Sequence, residues 1–348
     1  MLSRILFFLL SVPAFLPATK IQHWSIRGYD FTRIQWFIVQ AAGLIGWIFF
    51  SNQRTEVDYA LASLLLSACL YQLKHIIPFT KLGTKQTHEG TTDLFNTFTV
   101  LTANVLQDNK NRTEFLDIIN QANPDIILAM ETDKAWDDTL EKLLDTYSHR
   151  VRQPQDNYYG MHLYSRLPLS DTTIEFLLQD TIPSIHTTVE LPSGQKIRMI
   201  GVHPEPPSPT EKETAKERDA EMMLVAKEIN KSEEPTIVCG DLNDVAWSRN
   251  NYLFKKTANL LDPRIGRGIY ATFHAKYFFM RFPVDHLFHT HHFFTNKIQR
   301  LPSYGSDHFP ILYQLTYNPD ITTPIERSLT NGEKEEVDEK IQDGRAEV

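Results

Sequence analysis

Cysteine is nearly absent from the 348 residues: there are two, Cys69 and Cys239. The first falls in a very apolar stretch and the second inside the apolar run "PTIVCGD". A disulfide framework and a cysteine metal site are thereby excluded, and so small a count does not fix a redox compartment. Excess positive charge is missing too, with 35 Lys/Arg against 43 Asp/Glu and a formal net charge of −8. A binder of long nucleic acid gains affinity by neutralising phosphates and shows a basic surface. This balance weighs against such a surface and leaves room for a local basic groove. There is no internal repeat, which sets aside solenoids and propellers.

The charge is unevenly spread. Residues 1–85 hold eight Lys/Arg and three Asp/Glu, the tail 319–348 holds four and nine, and the middle holds the remaining 23 and 31. Apolar residues make up 42% and charged ones 22%, a balance suited to a globular chain over most of its length. The basic opening segment contains three apolar runs: "ILFFLLSVPAFLPA" (5–18), "IQWFIVQAAGLIGWIFF" (34–50) and "YALASLLLSACLYQLKHIIPF" (59–79). A spanning helix needs about 20 mostly apolar residues. The third run reaches that length if Lys74 and His75 snorkel, and the second comes near it. The first is short, carries Pro13 and Pro17, and lacks the small-residue cleavage pattern of a signal peptide. Followed by two more runs it reads as a first span. The alternative is a buried helical hairpin of a soluble domain. The segment 1–80 is thus read as a membrane segment with three helices. Counting Lys and Arg puts the first loop and the C-terminal part in the cytoplasm, whereas three spans with a cytoplasmic start put that part outside.

Residues 81–95 form a polar linker. From 96 to 318 short apolar runs alternate with helical patterns. The runs "NTFTVLTANV", "PDIILAME", "GMHLYSR", "IHTTVELP", "KIRMIGVHP", "PTIVCGD", "VDHLFHT" and "FPILYQLTY" predict strands. Helices are predicted at "NRTEFLDIINQAN", at "DKAWDDTLEKLLD" with Asp133 as N-cap, and along "SPTEKETAKERDAEMMLVAKEINK" with Met222, Val225, Ala226 and Ile229 on its buried stripe. The tail 319–348, rich in acid and without aromatics, reads as disordered.

Polar residues recur where the apolar runs stop. "TVLTAN" ends in Asn104, "DIILAM" runs into Glu131 and "IRMIGV" into His203. "TIVCG" runs into Asp241 and Asn243, "FPV" into Asp285, and the turn "YGS" delivers Asp307 and His308. Strand ends on a rigid sheet can present such groups to one cleft. Glu131 and Asp307 are hard oxygen ligands suited to Mg²⁺ or Mn²⁺. Asp241 can orient or deprotonate a water, and Asn104, Asn243 and His203 can donate hydrogen bonds to a phosphoryl group. His308 with Asp285 forms an acid–imidazole couple, in which the carboxylate fixes the tautomer and raises the basicity of the ring, so that His308 reads as a general base. Together these describe metal-assisted hydrolysis of a phosphate ester. Taken singly, each Asn or Asp is an ordinary turn former. His289, His291 and His292 in "HTHHFF" read as strand or loop residues rather than metal ligands, since no carboxylate stands at helical spacing.

The order N…E…SRLP…H…GDLND…DH…SDHFP resembles the endonuclease/exonuclease/phosphatase superfamily, with the deoxyribonuclease-I-like fold, over residues 96–318. That resemblance implies an α/β architecture, a four-layer α/β-β/α sandwich of two mixed sheets, here preceded by transmembrane helices. It puts Asn104, Glu131 and Asp307 at the metal, Asp241 and Asn243 on the water and the phosphate, His203 on the phosphate, and Asp285 beside His308. Ser165 and Arg166 in "SRLP" are read as structural. The N-terminus is similar to a bacterial membrane-bound branch: "YDFTRIQ" (29–35) lies close to that branch's "DFPRxQ", with Thr32 where proline is usual. The branch carries a basic loop between its second and third spans, where this chain has the nearly neutral "SNQRTEVD". The resemblance implies a bacterial inner-membrane protein with a periplasmic catalytic domain. Its substrates would be phosphate esters, whether nucleic acid, phospholipid headgroup or small phosphate. The rival reading is a catalytically inactive domain that binds phosphorylated ligands or partners at the membrane. Oligomeric state is not legible.

Overall fold

The computed structural model describes residues 2–51, 54–90, 93–321 and 327–348. The apolar opening folds into helices α1 (Leu2–Phe15), α2 (Trp24–Phe31), α3 (Arg33–Phe50) and α4 (Glu56–Ile76). α1 and α4 run parallel: Arg4 Nε lies 2.8 Å from Asp58 Oδ1 at one end, and the Phe15 and Tyr71 rings are 5.3 Å apart at the other. α3 runs back against both. α3 and α4 are long and apolar enough to cross a membrane, with mean hydropathy 1.3 and 1.5, while the apolar helix 4–18 is shorter. Their polarity is inverted relative to a soluble hairpin. Ile38, Ile45, Phe49, Phe50, Leu66 and Leu70 face outward, whereas Gln40, Gln72 and Arg33 are buried. Gln40 donates to the Leu10 carbonyl at 2.8 Å, and Arg33 bonds both Asp30 and Gln72 at 2.7 Å. A buried charge is tolerable only when paired in this way.

The remaining chain builds two sheets. The first has the order β10-β11-β1-β2-β4-β3 and the second β5-β6-β7-β8-β9. The strands are β1 (Thr97–Asn104), β2 (Ile126–Met130), β3 (His149–Gln153), β4 (Met161–Ser165), β5 (Leu169–Glu175) and β6 (Ser184–Glu190). They continue with β7 (Lys196–Val202), β8 (Thr236–Asp241), β9 (Asp285–His289), β10 (Phe293–Arg300) and β11 (Ile311–Tyr317). Both sheets are mixed: β1/β2 and β7/β8 are parallel pairs, and the other pairs are antiparallel. Between them lies a core that includes Val100, Leu128, Leu163, Met199, Ile237 and Tyr313. Helices α5 (Arg112–Ala122) and α6 (Lys134–Leu140) cover the outer face of the first sheet through Phe115, Ile119 and Trp136. Helices α7 (Lys216–Ile229) and α8 (Arg249–Thr257) cover the second through Met222, Val225 and Phe254. This is the four-layer sandwich expected from the sequence. The N-cap expected at Asp133 is present, its carboxylate accepting from the Trp136 N–H at 2.7 Å.

Three features depart from the sequence reading. Strands β3, β5 and β10 were not anticipated. Each lies at a sheet edge, where one side meets solvent and the residues are correspondingly polar. The helix read along 208–231 begins only at Lys216, because the backbone before it is held as an extended strap by Gln22 and Trp24 of the N-terminal segment: Ala215 N–H donates to the Gln22 carbonyl and Trp24 N–H to that of Glu213. The tail read as disordered contains helix α9 (Asn331–Arg345). Thr330 and Glu333 cap it reciprocally, Val337 and Ile341 are buried in the α7/α8 layer, and Lys340 reaches Asp219 at 2.5 Å. Its acids also meet Lys227, Arg249 and Lys256. The charge that looked like a solvated tail is complementary to the face it covers. Residues 322–326 of that tail lie outside the described residues.

The N-terminal segment is docked on the sandwich. Trp247 Nε1 donates to the Asp30 carbonyl at 2.8 Å, and the Trp247 ring packs edge-on against Phe79. The chain just after α4 meets the domain as well, with Gly266 N–H bonded to the Pro78 carbonyl and Asp262 N–H to Gln86 Oε1.

Candidate active site

All eight residues singled out in the sequence meet at one edge of the sandwich. The parallel pairs β1/β2 and β7/β8 end at this edge, so Asn104, Glu131, His203 and Asp241 arrive together. The antiparallel strands β9 and β11 begin there, bringing Asp285 and, just ahead of β11, Asp307 and His308. Glu131 and Asn243 both have left-handed backbone, φ 62° and 51°, which turns their side chains back over the sheet ends. Gly240, with φ 146°, lets β8 pass so close to β7 that a Cβ there would meet the Val202 carbonyl.

Asn104 is the hub. Its Nδ2 donates to Glu131 Oε1 at 2.7 Å and to Asp241 Oδ2 at 3.1 Å, joining the two sheets. Its Oδ1 accepts from the Leu106 N–H at 3.0 Å, and its carbonyl accepts from Tyr304 at 3.0 Å and Ser306 at 2.8 Å. Glu131 Oε2 accepts from the Gln107 N–H at 3.2 Å. Burial pushes the Glu131 carboxyl up to about 7, with the Asp307 charge adding to the effect. Asp241 accepts from the Asn243 N–H at 2.9 Å. Asn243 itself is held by its side chain on the Pro204 carbonyl at 3.0 Å and by Arg218 on its own carbonyl at 2.7 Å. Burial and the nearby Asp285 raise the Asp241 pKa.

His308 lies between two carboxylates. Its Nδ1 is 2.8 Å from Asp285 Oδ2 and its Nε2 is 3.5 Å from Asp241 Oδ2. Burial alone would strip its proton, but Asp285 and Asp241 outweigh that and hold its pKa at about 10. At neutral pH the ring is therefore a cation and a donor, where the sequence reading made it a base. His203 is the opposite case. Burial lowers it to about 4, so it is neutral, with Nε2 4.0 Å from Asp241 Oδ2. Its Nδ1 is buried without a partner among the described residues.

Several residues of the site were missed in the sequence. Tyr159 stacks at 5.3 Å on His203 and donates to Glu211 at 2.6 Å. Ser306 fixes the "GSDH" turn by donating to Asn104 and accepting from the His308 N–H at 3.0 Å. Ser306 stood inside the quoted turn "YGS" and Tyr159 just ahead of "GMHLYSR", but polarity alone did not separate them from turn residues. Phe273 lies 4.9 Å from the His308 ring. Trp247 and Tyr252, aromatics that follow "GDLND", lie away from the site: the first packs on Phe79, the second bonds Glu333 of α9. Ser165 caps its own turn through Leu167, and Arg166 covers the Tyr147 ring. Of the histidines in "HTHHFF", His289 belongs to β9 and the other two to the turn after it.

Among the described residues, Asp241, Asp285 and His308 form the cluster whose ligand-type atoms all lie within 4.8 Å of one another. Both nitrogens of His308 face carboxylates, so the ring serves there as a counter-charge. Glu131, half-buried and held by Asn104 and the Gln107 N–H, has its proton affinity raised by desolvation and by Asp307 in spite of the opposing charge of His308. A hard divalent cation fits that position, because it would replace the proton that burial forces onto Glu131.

Residues 101–308 match the sequence profile of the Endonuclease/Exonuclease/phosphatase family. No curated protein matches the chain. Solved structures share the fold. One is D. rerio TDP2 complexed with a single-strand DNA product, with 16% identity, TM-score 0.52, and coverage of 63% of this chain and 99% of that one. Another is the human Nocturnin catalytic domain with bound sulfate, with 19% identity, TM-score 0.53, and 65% and 97% coverage. A third is a family protein from Bacteroides thetaiotaomicron, with 17% identity, TM-score 0.52, and 64% and 98% coverage.

Proposed function

The chain belongs to the endonuclease/exonuclease/phosphatase family, whose members are divalent-metal-dependent phosphodiesterases, nucleases and phosphatases, and on that premise we propose that it is a membrane-anchored, Mg²⁺- or Mn²⁺-dependent phosphohydrolase. The observation that carries this reading is the buried chain Asp285–His308–Asp241–Asn104–Glu131, in which each polar group is held by the next. Glu131 and Asp307 would hold the metal ion, with Asn104 orienting Glu131. A bound divalent ion supplies charge neutralisation and Lewis-acid polarisation of a phosphoryl oxygen.

The protein's own groups do the rest. Asp241, fixed by two N–H donors, orients the attacking water and accepts its proton. The water oxygen bonds to phosphorus as the bond from phosphorus to the leaving oxygen breaks. The leaving oxygen takes a proton from solvent or from a neighbouring acid. The His308 cation, held in place by Asp285, donates to a phosphoryl oxygen as charge builds there, and Asn243 supports it. His203, neutral and capped by Tyr159, contributes a ring nitrogen on the far side of Asp241. The inverted polarity of α3 and α4 supports a bilayer around the N-terminal segment. With α1, parallel to α4, counted as a third pass, the N-terminus and the catalytic domain would lie on opposite faces, and a cytoplasmic N-terminus would then give a periplasmic domain on a bacterial inner membrane.

The test uses the detergent-solubilised full chain and bis-(p-nitrophenyl) phosphate. Hydrolysis that needs Mg²⁺ or Mn²⁺ and is lost in EDTA and in His308→Ala supports the reading. A folded, metal-supplied protein that hydrolyses no phosphate ester overturns it in favour of a binding domain.

A further inference from the structure

The chain between α8 and β9 closes into a loop whose base is the pairing of Phe273 with Phe282. The base leans on the catalytic edge: the Phe273 ring meets His308 at 4.9 Å, and Ala275 N–H donates to the Asp307 carbonyl at 2.6 Å. The flank leans on the apolar helices. Phe282 packs edge-on against Phe31 of α2 at 5.6 Å, and Gln35, in the first turn of α3, donates from Nε2 to the Phe279 carbonyl at 2.7 Å. The side chains of the tip face outward. Tyr277, Phe278, Phe279 and Met280 are 53%, 78%, 57% and 40% exposed. Single exposed apolar residues are ordinary, but four in a row, three of them aromatic, mark a contact surface.

The position of the tip identifies what it contacts. Gln35 sits where α3 starts, and the apolar outer face of α3 continues away from it through Ile38, Val39 and Ile45. The tip is therefore tied to the level at which α3 enters its apolar surroundings. Tyr29 and Trp36 pair at 6.0 Å at that same level, as aromatics do at a bilayer boundary. Lys276 and Arg281 bracket the tip. Basic residues flanking exposed aromatics are suited to headgroups above and acyl chains below.

We propose that Tyr277–Phe278–Phe279–Met280 lies in the membrane interface and that the site takes its phosphate ester from a lipid headgroup in that bilayer. This rests on the phosphohydrolase reading above. The loop connects the two places directly: its tip is at the bilayer level and its base is the wall beside His308 and Asp307. The acidic balance of residues 86–318 disfavours a polyanionic nucleic acid, whereas one headgroup phosphate needs only the local donors. Water attacks the headgroup phosphorus, one ester bond to phosphorus breaks, and the alcohol leaves protonated.

The experiment uses the full chain in nanodiscs of phosphatidylethanolamine, phosphatidylglycerol and sphingomyelin. An environment-sensitive dye on Phe278→Cys reports depth, since Cys69 and Cys239 are buried. A blue-shifted dye quenched by nitroxide-bearing lipid is expected. A water-exposed dye, or one shielded only because two copies associate, overturns the surface. Activity is read in parallel by phosphorus NMR of the nanodisc lipids and by bis-(p-nitrophenyl) phosphate in solution. Phe278→Ser/Phe279→Ser is expected to lower lipid hydrolysis by about tenfold or more while leaving the soluble diester unchanged. Turnover of the soluble diester with no attack on any nanodisc lipid overturns the inference but leaves the phosphohydrolase reading standing. Loss of both activities in the wild-type protein overturns that reading itself.

Discussion

Nδ1 of His308 lies 2.8 Å from Oδ2 of Asp285, and the other oxygen of that carboxylate is buried with no partner among the described residues. Among the described residues the imidazole is the one side-chain hydrogen-bond partner of that carboxylate. Asp285→Asn should lower turnover by about 10²–10⁴-fold with an unchanged circular dichroism spectrum. Histidine NMR of the metal-free protein should show His308 titrating well below the value of about 10 that its two carboxylates now enforce.

Removing the divalent ion with EDTA should abolish turnover, and adding Mg²⁺ or Mn²⁺ back should restore it. Glu131→Gln should raise the metal concentration for half-maximal activity by about tenfold to a hundredfold or more, because the neutral amide no longer offsets the cation. A metal titration of activity checks both outcomes.

Glu221 on α7 is buried, and its Oε1 has no partner among the described residues. Burial, with Glu205 nearby, pushes its carboxyl up to about 8. The folded state therefore keeps the proton across a range in which the unfolded chain, with an ordinary glutamate value of about 4.3, releases it. Stability from this group is intact below the ordinary value and falls as pH rises toward about 8. Glu221→Gln removes the loss. It should raise the melting temperature at alkaline pH by about 4 °C or more and change it little near pH 4. Thermal melts at the two extremes decide the matter.

Helix α9 is held by burial of Val337 and Ile341 and by Lys340 on Asp219. Ile341→Ala should cost about 2–4 kcal/mol of docking stability. Hydrogen exchange should rise across 331–345 and stay slow in β1 and β8.

Much of the site was legible because strand ends are where an apolar run must stop, and a polar residue at each stop stands out against it. Asn104, Glu131, Asp241 and Asp285 were found in that way. What a linear reading cannot supply is which neighbours share a charge. His308 read as a base because an isolated Asp–His couple behaves as one; the second carboxylate, Asp241, arrives from the other sheet and changes its protonation. The fold was legible where both faces of a strand are buried and illegible at the edges, β3, β5 and β10, where one face is wet. Helix α9 was missed because its apolar positions number only Val337 and Ile341, although the capping box Thr330–Glu333 and that four-residue spacing were both present. Beside those two side chains, its docking draws on charges 77 to 121 positions upstream.

The first sheet draws its strands from both ends of the domain: β1 to β4 come early, and β10 and β11 come last, with β11 slotted beside β1. Asp307 and His308 stand just ahead of that final strand. During synthesis the apolar helices emerge first, then every other polar group of the cleft, and the imidazole that completes it arrives after nearly all else. A chain released early would carry the apolar helices and most of the cleft but lack His308. On the reading proposed above, the cleft is completed only after the helices have left the ribosome.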